Sequence, residues 1–356
     1  MNLNIAEYME THGHEQLCVF TDKGIGLRVF IAIHDTTLGP SLGGVRIWPH
    51  KTEDEALIDV LRLSRGMTYK SAAAGLNMGG GKALIMASSQ EKTEAMMRAF
   101  GRFVESLGGR YITTEDVGAN TRDMEWIAQE TSHVKGLPAN LGGSGDPSEM
   151  TAYGIYQGMK ACAMDVWGTD SLAGRTIAIQ GFGNVASKLA QHLLGEQALL
   201  VVTDISQSAL DMAREQNLEI LEDPAAIYEV ECDLFAPCAL GGILNDATIP
   251  RLKCKVVAGS ANNQLLGDHH GARLQEKGIL YAPDYILNAG GVINISLEMG
   301  QVYDEDAARE KVARIYDTVT KVIDLSRTNG ITTAQAADRL AEERIAAMRG
   351  VKGIYV

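Results

Sequence analysis

Two lysines, Lys70 and Lys82, stand twelve positions apart in an acid-free, glycine-rich stretch, "GMTYKSAAAGLNMGGGKALI" (66–85). Lysine is seldom buried without a partner, so this placement points to chemistry. A desolvated lysine beside a like charge gives up its proton near working pH and acts as a base. A lysine that stays charged holds an anionic ligand instead. "TTEDVG" puts Glu115 and Asp116 at the end of a strand in the same region, where a carboxylate would complete an acid–base pair. Residue type alone favours lysines reaching from a loop into solvent; the carboxylates shift the balance. A phosphate loop does not fit "GGGK". That motif needs glycine six positions before the lysine and Ser or Thr after it, and those positions hold Leu76 and Ala83.

A second pattern binds a nucleotide. "IAIQGFGNVA" sets Gly181, Gly183 and Ala186 in a G-x-G-x-x-A pattern between an apolar strand and a helix. Gly181 permits the tight turn, Gly183 lets backbone approach a pyrophosphate, and Ala186 keeps helix and strand close. Asp204 ends the next strand about 20 residues on, where a ribose contact belongs. Ile205 and Ser206 follow it, with no arginine for a 2′-phosphate, so NAD is favoured over NADP.

These residues need a scaffold. Strands are expected at "LRVFIAIHDT", "KALIMAS" and "RYITTEDVG", and helices at "KTEDEALIDVLRLSRGMTYKSAAAG" and "EKTEAMMRAFGRFVESLGG". "TTLGPSLGG" reads as a glycine loop. Alternation of strands and helices indicates an α/β domain. "NLGGSGDPSEMT" (140–151) reads as a linker, and βα units follow it, with further strands at "CDLFAPCA", "CKVVAGSA" and "ILYAPD". One long helix is expected over 304–329, stopped by Gly330, and another from a threonine cap at "TTAQAADRL".

At 356 residues two domains are expected. Acidic residues exceed basic ones by 45 − 32 = 13, which disfavours nucleic acid and anionic membranes as partners. Five scattered cysteines suit a reducing compartment. No secretion signal or membrane-spanning run is visible, so a cytoplasmic location is expected. His269 and His270 read as a polar surface turn with no metal, and His34 as a hydrogen-bonded structural histidine.

"HDTTLGPSLGGVR", "GMTYKSAAAGLNMGGGK", "GRYITTEDVG", "IQGFGNVA", "FAPCALGG", "AGSANNQL" and "YAPDYILNAGGVIN" together resemble the Glu/Leu/Phe/Val amino-acid dehydrogenase family, over nearly the whole chain and in order. The resemblance implies two α/β domains with a cleft between them. Residues 1–145 would form the substrate-binding, catalytic and oligomerisation domain, with the C-terminal helix 331–356 packing back on it. Residues 146–330 would form a Rossmann-like NAD-binding domain.

The implied reaction is reversible oxidative deamination of an L-amino acid to a 2-oxo acid and ammonia, with NAD as hydride acceptor. Lys82 falls on the general base, Asp116 on the proton-transferring aspartate and Lys70 on the substrate-carboxylate lysine. Gly43, Gly44, Met67 and Asn262 fall on further substrate positions. Cofactor positions fall on Thr151, Gly181, Phe182, Gly183, Asn184, Val185, Asp204, Ile205, Cys238, Ala239 and Asn262, Cys238 being a packing residue. The side-chain pocket falls on Leu42, Thr114, Val292 and Ile295. Glutamate enzymes of this kind carry lysine where Leu42 stands, so glutamate is disfavoured. An aliphatic branched-chain substrate is expected, leucine foremost and also valine or isoleucine; the alternative is an aromatic one, phenylalanine or tryptophan. Thr114, Ile295 and Val45 depart from the leucine-enzyme pattern, the first two by adding volume to the pocket. The family also implies a homo-oligomer, an octamer among leucine enzymes. A non-catalytic NAD sensor would have lost Lys82 or Asp116, and a hydroxy-acid dehydrogenase would need a histidine–carboxylate motif that is not seen.

Overall fold

A computed structural model describes residues 4–299 and 302–350. The chain divides into two compact units. The first takes in the chain up to Asp146, Ile295–Tyr303 and the chain from Ala341 on; the second takes in Pro147–Asn294 and Asp304–Leu340.

In the first unit the elements are α1 (Ile5–His12), β1 (Gln16–Asp22), β2 (Leu27–Asp35), β3 (Ser41–Ile47), α2 (Glu53–Ala73), β4 (Gly79–Ile85), α3 (Glu94–Glu105), β5 (Tyr111–Glu115) and α4 (Thr121–Ala128). They build a five-stranded sheet in the order β1-β2-β4-β3-β5. The β1–β2 and β2–β4 pairs are antiparallel; β3 runs parallel to β4 and β5. β2 is apolar almost throughout because both of its faces are covered. Phe30 and Ala32 meet Ala56, Leu57, Val60 and Leu61 of α2. Val29, Ile31 and Ile33 join Met97, Phe100, Met124 and Ile127 of α3 and α4 on the other side. α2 opens on Thr52, whose hydroxyl accepts from the Glu55 N–H, with three acids in its first turn, favourable at a helix N-terminus.

The glycine loop expected at "TTLGPSLGG" is half strand: residues 41–47 form β3, running through Gly43 and Gly44. The same holds for "GGGK", where β4 begins at Gly79. Glycine is poor in strands, and here it is selected by crowding. A Cβ on Gly43 would lie 1.7 Å from the Gly81 carbonyl oxygen, and one on Gly80 would lie 2.1 Å from the Thr68 nitrogen of α2.

The second unit holds α5 (Ser148–Trp167), β6 (Thr176–Gln180), α6 (Asn184–Gly195), β7 (Leu199–Thr203), α7 (Gln207–Glu215), β8 (Glu219–Ile220), β9 (Leu234–Pro237), β10 (Val256–Val257), α8 (His269–Glu276), β11 (Leu280–Tyr281) and α9 (Asp284–Leu287). After α10 (Gly290–Ser296), whose end is assigned to the first unit, come α11 (Glu305–Ala313), α12 (Ile315–Asn329) and α13 (Thr333–Arg349). Its six strands are all parallel, in the order β11-β10-β9-β6-β7-β8. The order reverses between β6 and β9, the switch point at which such sheets bind ligands.

The single helix expected over 304–329 is two. It breaks at Arg314, whose N–H turns back to Lys311 three residues earlier, and α12 restarts at Ile315. Gly330 ends α12 in the left-handed region at φ +63°. α13 is capped reciprocally by Thr332 and Gln335. From Ala341 onward it belongs to the first unit, where Arg344 donates to the Leu76 carbonyl at 2.6 Å and to Asn77 at 2.9 Å. Residues 351–356 of the expected C-terminal helix lie outside the described residues.

Candidate active site

β4 sends Gly80, Lys82 and Leu84 to one face, the face covered by α2. Lys82 is 5% exposed, and its ammonium lies 2.6 Å from Asp116 Oδ2, just beyond the end of β5. The side chain missing from Gly44 makes this contact possible: a Cβ there would lie 2.7 Å from Asp116 Cβ and 2.4 Å from the Glu115 carbonyl oxygen. Tyr111, fully buried, packs over Gly81 and donates its hydroxyl to the Gly43 carbonyl at 2.6 Å. The β3–β4 ladder skips Gly43 and Gly44, pairing Leu42 with Gly80 and then Val45 with Ala83.

Asp116 has a second cationic neighbour. Arg46 Nε lies 3.2 Å from the same Oδ2, and its Nη1 reaches Asp59 of α2 at 3.0 Å; His50 meets Asp59 at 3.2 Å. Burial alone would raise the Asp116 carboxyl. Lys82 and Arg46 outweigh it and hold the group down at about 2. Residues 66–85 themselves hold no acid, and the carboxylate that meets Lys82 is supplied from outside that stretch, by Asp116. Glu115 does not join the pair. Burial raises its carboxyl, and Thr121 is its hydrogen-bond partner.

Lys70 and Met67 lie half-buried near the end of α2, whose buried face packs on β4. Leu42 is wholly buried in β3 and Thr114 is buried in β5. Ile295 is buried within the first unit, and Val292 is half-buried on the part of α10 assigned to the second. A further buried carboxylate, Glu298, accepts from the Gly136 N–H at 3.1 Å and the Ser144 N–H at 2.8 Å, fastening the loop beyond β5. Neither it nor Arg46, Asp59 and His50 stands out in the sequence. Their partners are distant along the chain, and "GGVR" was the nearest signal for Arg46.

In the second unit Gly181 takes φ +91°, and a Cβ on it would meet Ala239 at 2.7 Å. Around Gly183 nothing lies within 4 Å of the Cβ position. α6 starts there with no side-chain cap and no acid in its first turn, so its N-terminal amides fit a phosphate. Phe182 and Ala186 are buried, Val185 is half-buried and Asn184 is exposed. Asp204 accepts from the Phe182 N–H at 2.7 Å and the Ser206 N–H at 2.8 Å, which fixes the turn. Ile205 beside it is 91% exposed, an apolar side chain held in solvent. Cys238 follows β9, its N–H on the Gln180 carbonyl at 2.7 Å and its thiol raised by burial. Asn262, exposed, accepts from Asn288 at 2.8 Å, and Thr151 lies on α5 beside Gly291. This edge carries what a dinucleotide needs.

Two further expectations are settled by geometry. His34 is buried, with Nδ1 on the Thr68 hydroxyl and Nε2 on the His12 carbonyl, both at 2.9 Å; burial lowers it to about 4. His269 and His270 do not form a surface turn. They open α8, His270 is buried, and both face Asp246. These three are the one such metal-capable group among the described residues, but Arg273 also donates to the same Asp246 oxygen.

Comparison with known proteins agrees with the geometry. Residues 14–133 match the dimerisation domain of Glu/Leu/Phe/Val dehydrogenases, and residues 142–207 and 199–353 match the Glutamate/Leucine/Phenylalanine/Valine dehydrogenase model. The chain is 53% identical to leucine dehydrogenase of Bacillus cereus, covering 100% of this chain and 97% of that protein. It is 48% identical to phenylalanine dehydrogenase of Bacillus thermotolerans, over 94% and 89%. Crystalline L-tryptophan dehydrogenase from Nostoc punctiforme superposes with a TM-score of 0.83 at 44% identity, over 97% and 99%. A two-unit α/β oxidoreductase using a nicotinamide cofactor is what fold and site define. The chain belongs to the Glu/Leu/Phe/Val dehydrogenase family.

Proposed function

We propose that this protein catalyses the NAD-dependent, reversible oxidative deamination of a branched-chain aliphatic L-amino acid, leucine foremost. The observation that carries the reading is the 2.6 Å contact between buried Lys82 and Asp116. The first unit is the substrate and catalytic unit, and the second holds NAD. The 53% identity to leucine dehydrogenase over the whole chain supports the substrate class, as do the buried, apolar Leu42 and the buried Thr114 and Ile295, which add volume to the pocket and favour compact side chains. Unpaired burial of a glutamate side-chain carboxylate against Leu42 would be prohibitive.

Bound NAD supplies a hydride acceptor for the substrate Cα. Lys70 neutralises the substrate carboxylate, with Gly43, Gly44 and Met67 beside it. Lys82 takes the proton of the water that adds to the resulting imine. Asp116, in contact with Lys82, moves protons toward the departing nitrogen, and ammonia leaves with the 2-oxo acid. Gly181, Gly183, Asn184 and Val185 receive the pyrophosphate. Asp204 takes the ribose, with Ile205, Cys238, Ala239 and Asn262 completing the site. A carboxylate at Asp204 repels a 2′-phosphate, which selects NAD over NADP. The matched dimerisation domain supports a homo-oligomer, proposed as an octamer, and the location proposed is the cytoplasm.

The test is NADH formation with a panel of L-amino acids, ranked by kcat/KM, using NAD and then NADP. Leucine, isoleucine and valine should lead with NAD, within about 200-fold of one another, since one methylene is worth about 1–3 kcal/mol. Phenylalanine or tryptophan in the lead would move the substrate class, and equal use of NADP would remove the role given to Asp204.

A further inference from the structure

We propose that Arg46 is a positioning residue for this reaction, fixing the Asp116 carboxylate against Lys82 while Asp59 and His50 brace Arg46 from behind. The proposal rests on the deaminase reading above, but its geometry is independent of substrate. Arg46 follows Gly44 by two positions on β3, so both point to the same face. Gly44 lies in register with Thr114, and Val45 with Glu115, which leaves Arg46 level with the chain at Asp116. Its Nε lies 3.2 Å from Asp116 Oδ2, the oxygen that also takes Lys82 at 2.6 Å. Its Nη1 lies 3.0 Å from one oxygen of Asp59 and 3.3 Å from the other.

Only arginine can do this. One rigid guanidinium offers separate N–H groups to two carboxylates, whereas lysine presents a single point of charge. Guanidinium also keeps its proton throughout the working pH range. It therefore biases Asp116 without competing as an acid, and proton exchange with substrate is left to Lys82 and Asp116. Asp59 is held in turn by His50 Nε2 at 3.2 Å, so the brace is anchored on α2 and on the segment after β3. A surface ion pair would contribute little, but the Arg46, Asp59 and Asp116 side chains are all about one-quarter exposed or less.

The experiment compares Arg46→Met, Arg46→Lys and Asp59→Asn with the parent enzyme, in kcat, KM and the pH profile of kcat. Arg46→Met should lower kcat by about tenfold or more with KM within about threefold, and should move the acid limb to higher pH. Arg46→Lys should recover part of the loss. Asp59→Asn should act in the same direction and less. In parallel, the carboxyl infrared band of Asp116, taken as enzyme minus Asp116→Asn, is titrated without substrate and should protonate at higher pH in Arg46→Met. An unchanged Asp116 titration, or a loss confined to KM or to Tm, overturns the proposal. If no amino acid is turned over, the deaminase reading fails while the titration still reads the contact. Should Arg46→Met not fold, Arg46→Lys and Asp59→Asn carry the same comparison.

Discussion

Asp116 is the residue on which the electrostatics of the first unit turn. Its carboxyl is held at about 2 against an ordinary 3.8, so folding is favoured by the ionised form. A depressed carboxyl contributes stability that is fully present above about pH 3.8 and lost as pH falls to about 2. At 1.4 kcal/mol per unit this is roughly 2 kcal/mol. Asp116→Asn should therefore be less stable than the parent at pH 5–7, and urea unfolding should show the gap closing between about pH 4 and about pH 2. A gap constant across that window would mean that Lys82 and Arg46 do not set the carboxyl. The pairing was partly legible. "GGGK" and "TTEDVG" marked Lys82 and Asp116 by residue type, whereas Arg46 and Asp59 reach their partners 70 and 13 positions away, and no local pattern encodes that.

At the scale of elements, glycines decide the spacing of β3, β4 and β5. Gly43 and the Gly81 carbonyl, Gly44 and the Glu115 carbonyl, and Gly80 and α2 approach so closely that a methyl group at Gly43, Gly44 or Gly80 would displace backbone. Gly43→Ala should cost about 3 kcal/mol or more and reduce activity with it. Gly66→Ala is the control: Gly66 is exposed within α2 with nothing within 4 Å of its Cβ position, and the change should stabilise by about 0.5–1 kcal/mol. Thermal unfolding of both variants checks the pair, and equal effects would contradict the crowding argument. The same crowding explains why "SLGG" reads as a loop: strand propensity is local, and the reason for these glycines is not. β6–α6–β7 was legible because its signals, an apolar run, a glycine turn and a second apolar run, all lie within about 30 residues. The break at Arg314 was not, since the apolar periodicity of 304–329 runs on through it.

For the whole molecule, the two-unit division reflects two sheets, one mixed and one parallel, each with its own core. The first division between the units falls after Asp146, within the Gly-, Ser- and Pro-containing stretch 140–151. The assignment of Ile295–Tyr303 and of the chain from Ala341 to the first unit depends on distant packing and has no compositional mark. Among the described residues no helix is long and apolar enough to cross a membrane. The proposed homo-oligomer makes light scattering informative: the mass should be a multiple of the single chain, eightfold if the octamer is right. A monomer at micromolar concentration would remove that part of the account. The central claim, that buried Lys82 is the base of an amino-acid dehydrogenase, is tested most directly by leucine-dependent kcat of Lys82→Ala with NAD affinity measured alongside. The account expects kcat to fall by about 100-fold or more with the NAD dissociation constant within about twofold; a kcat within a few-fold of the parent would contradict it.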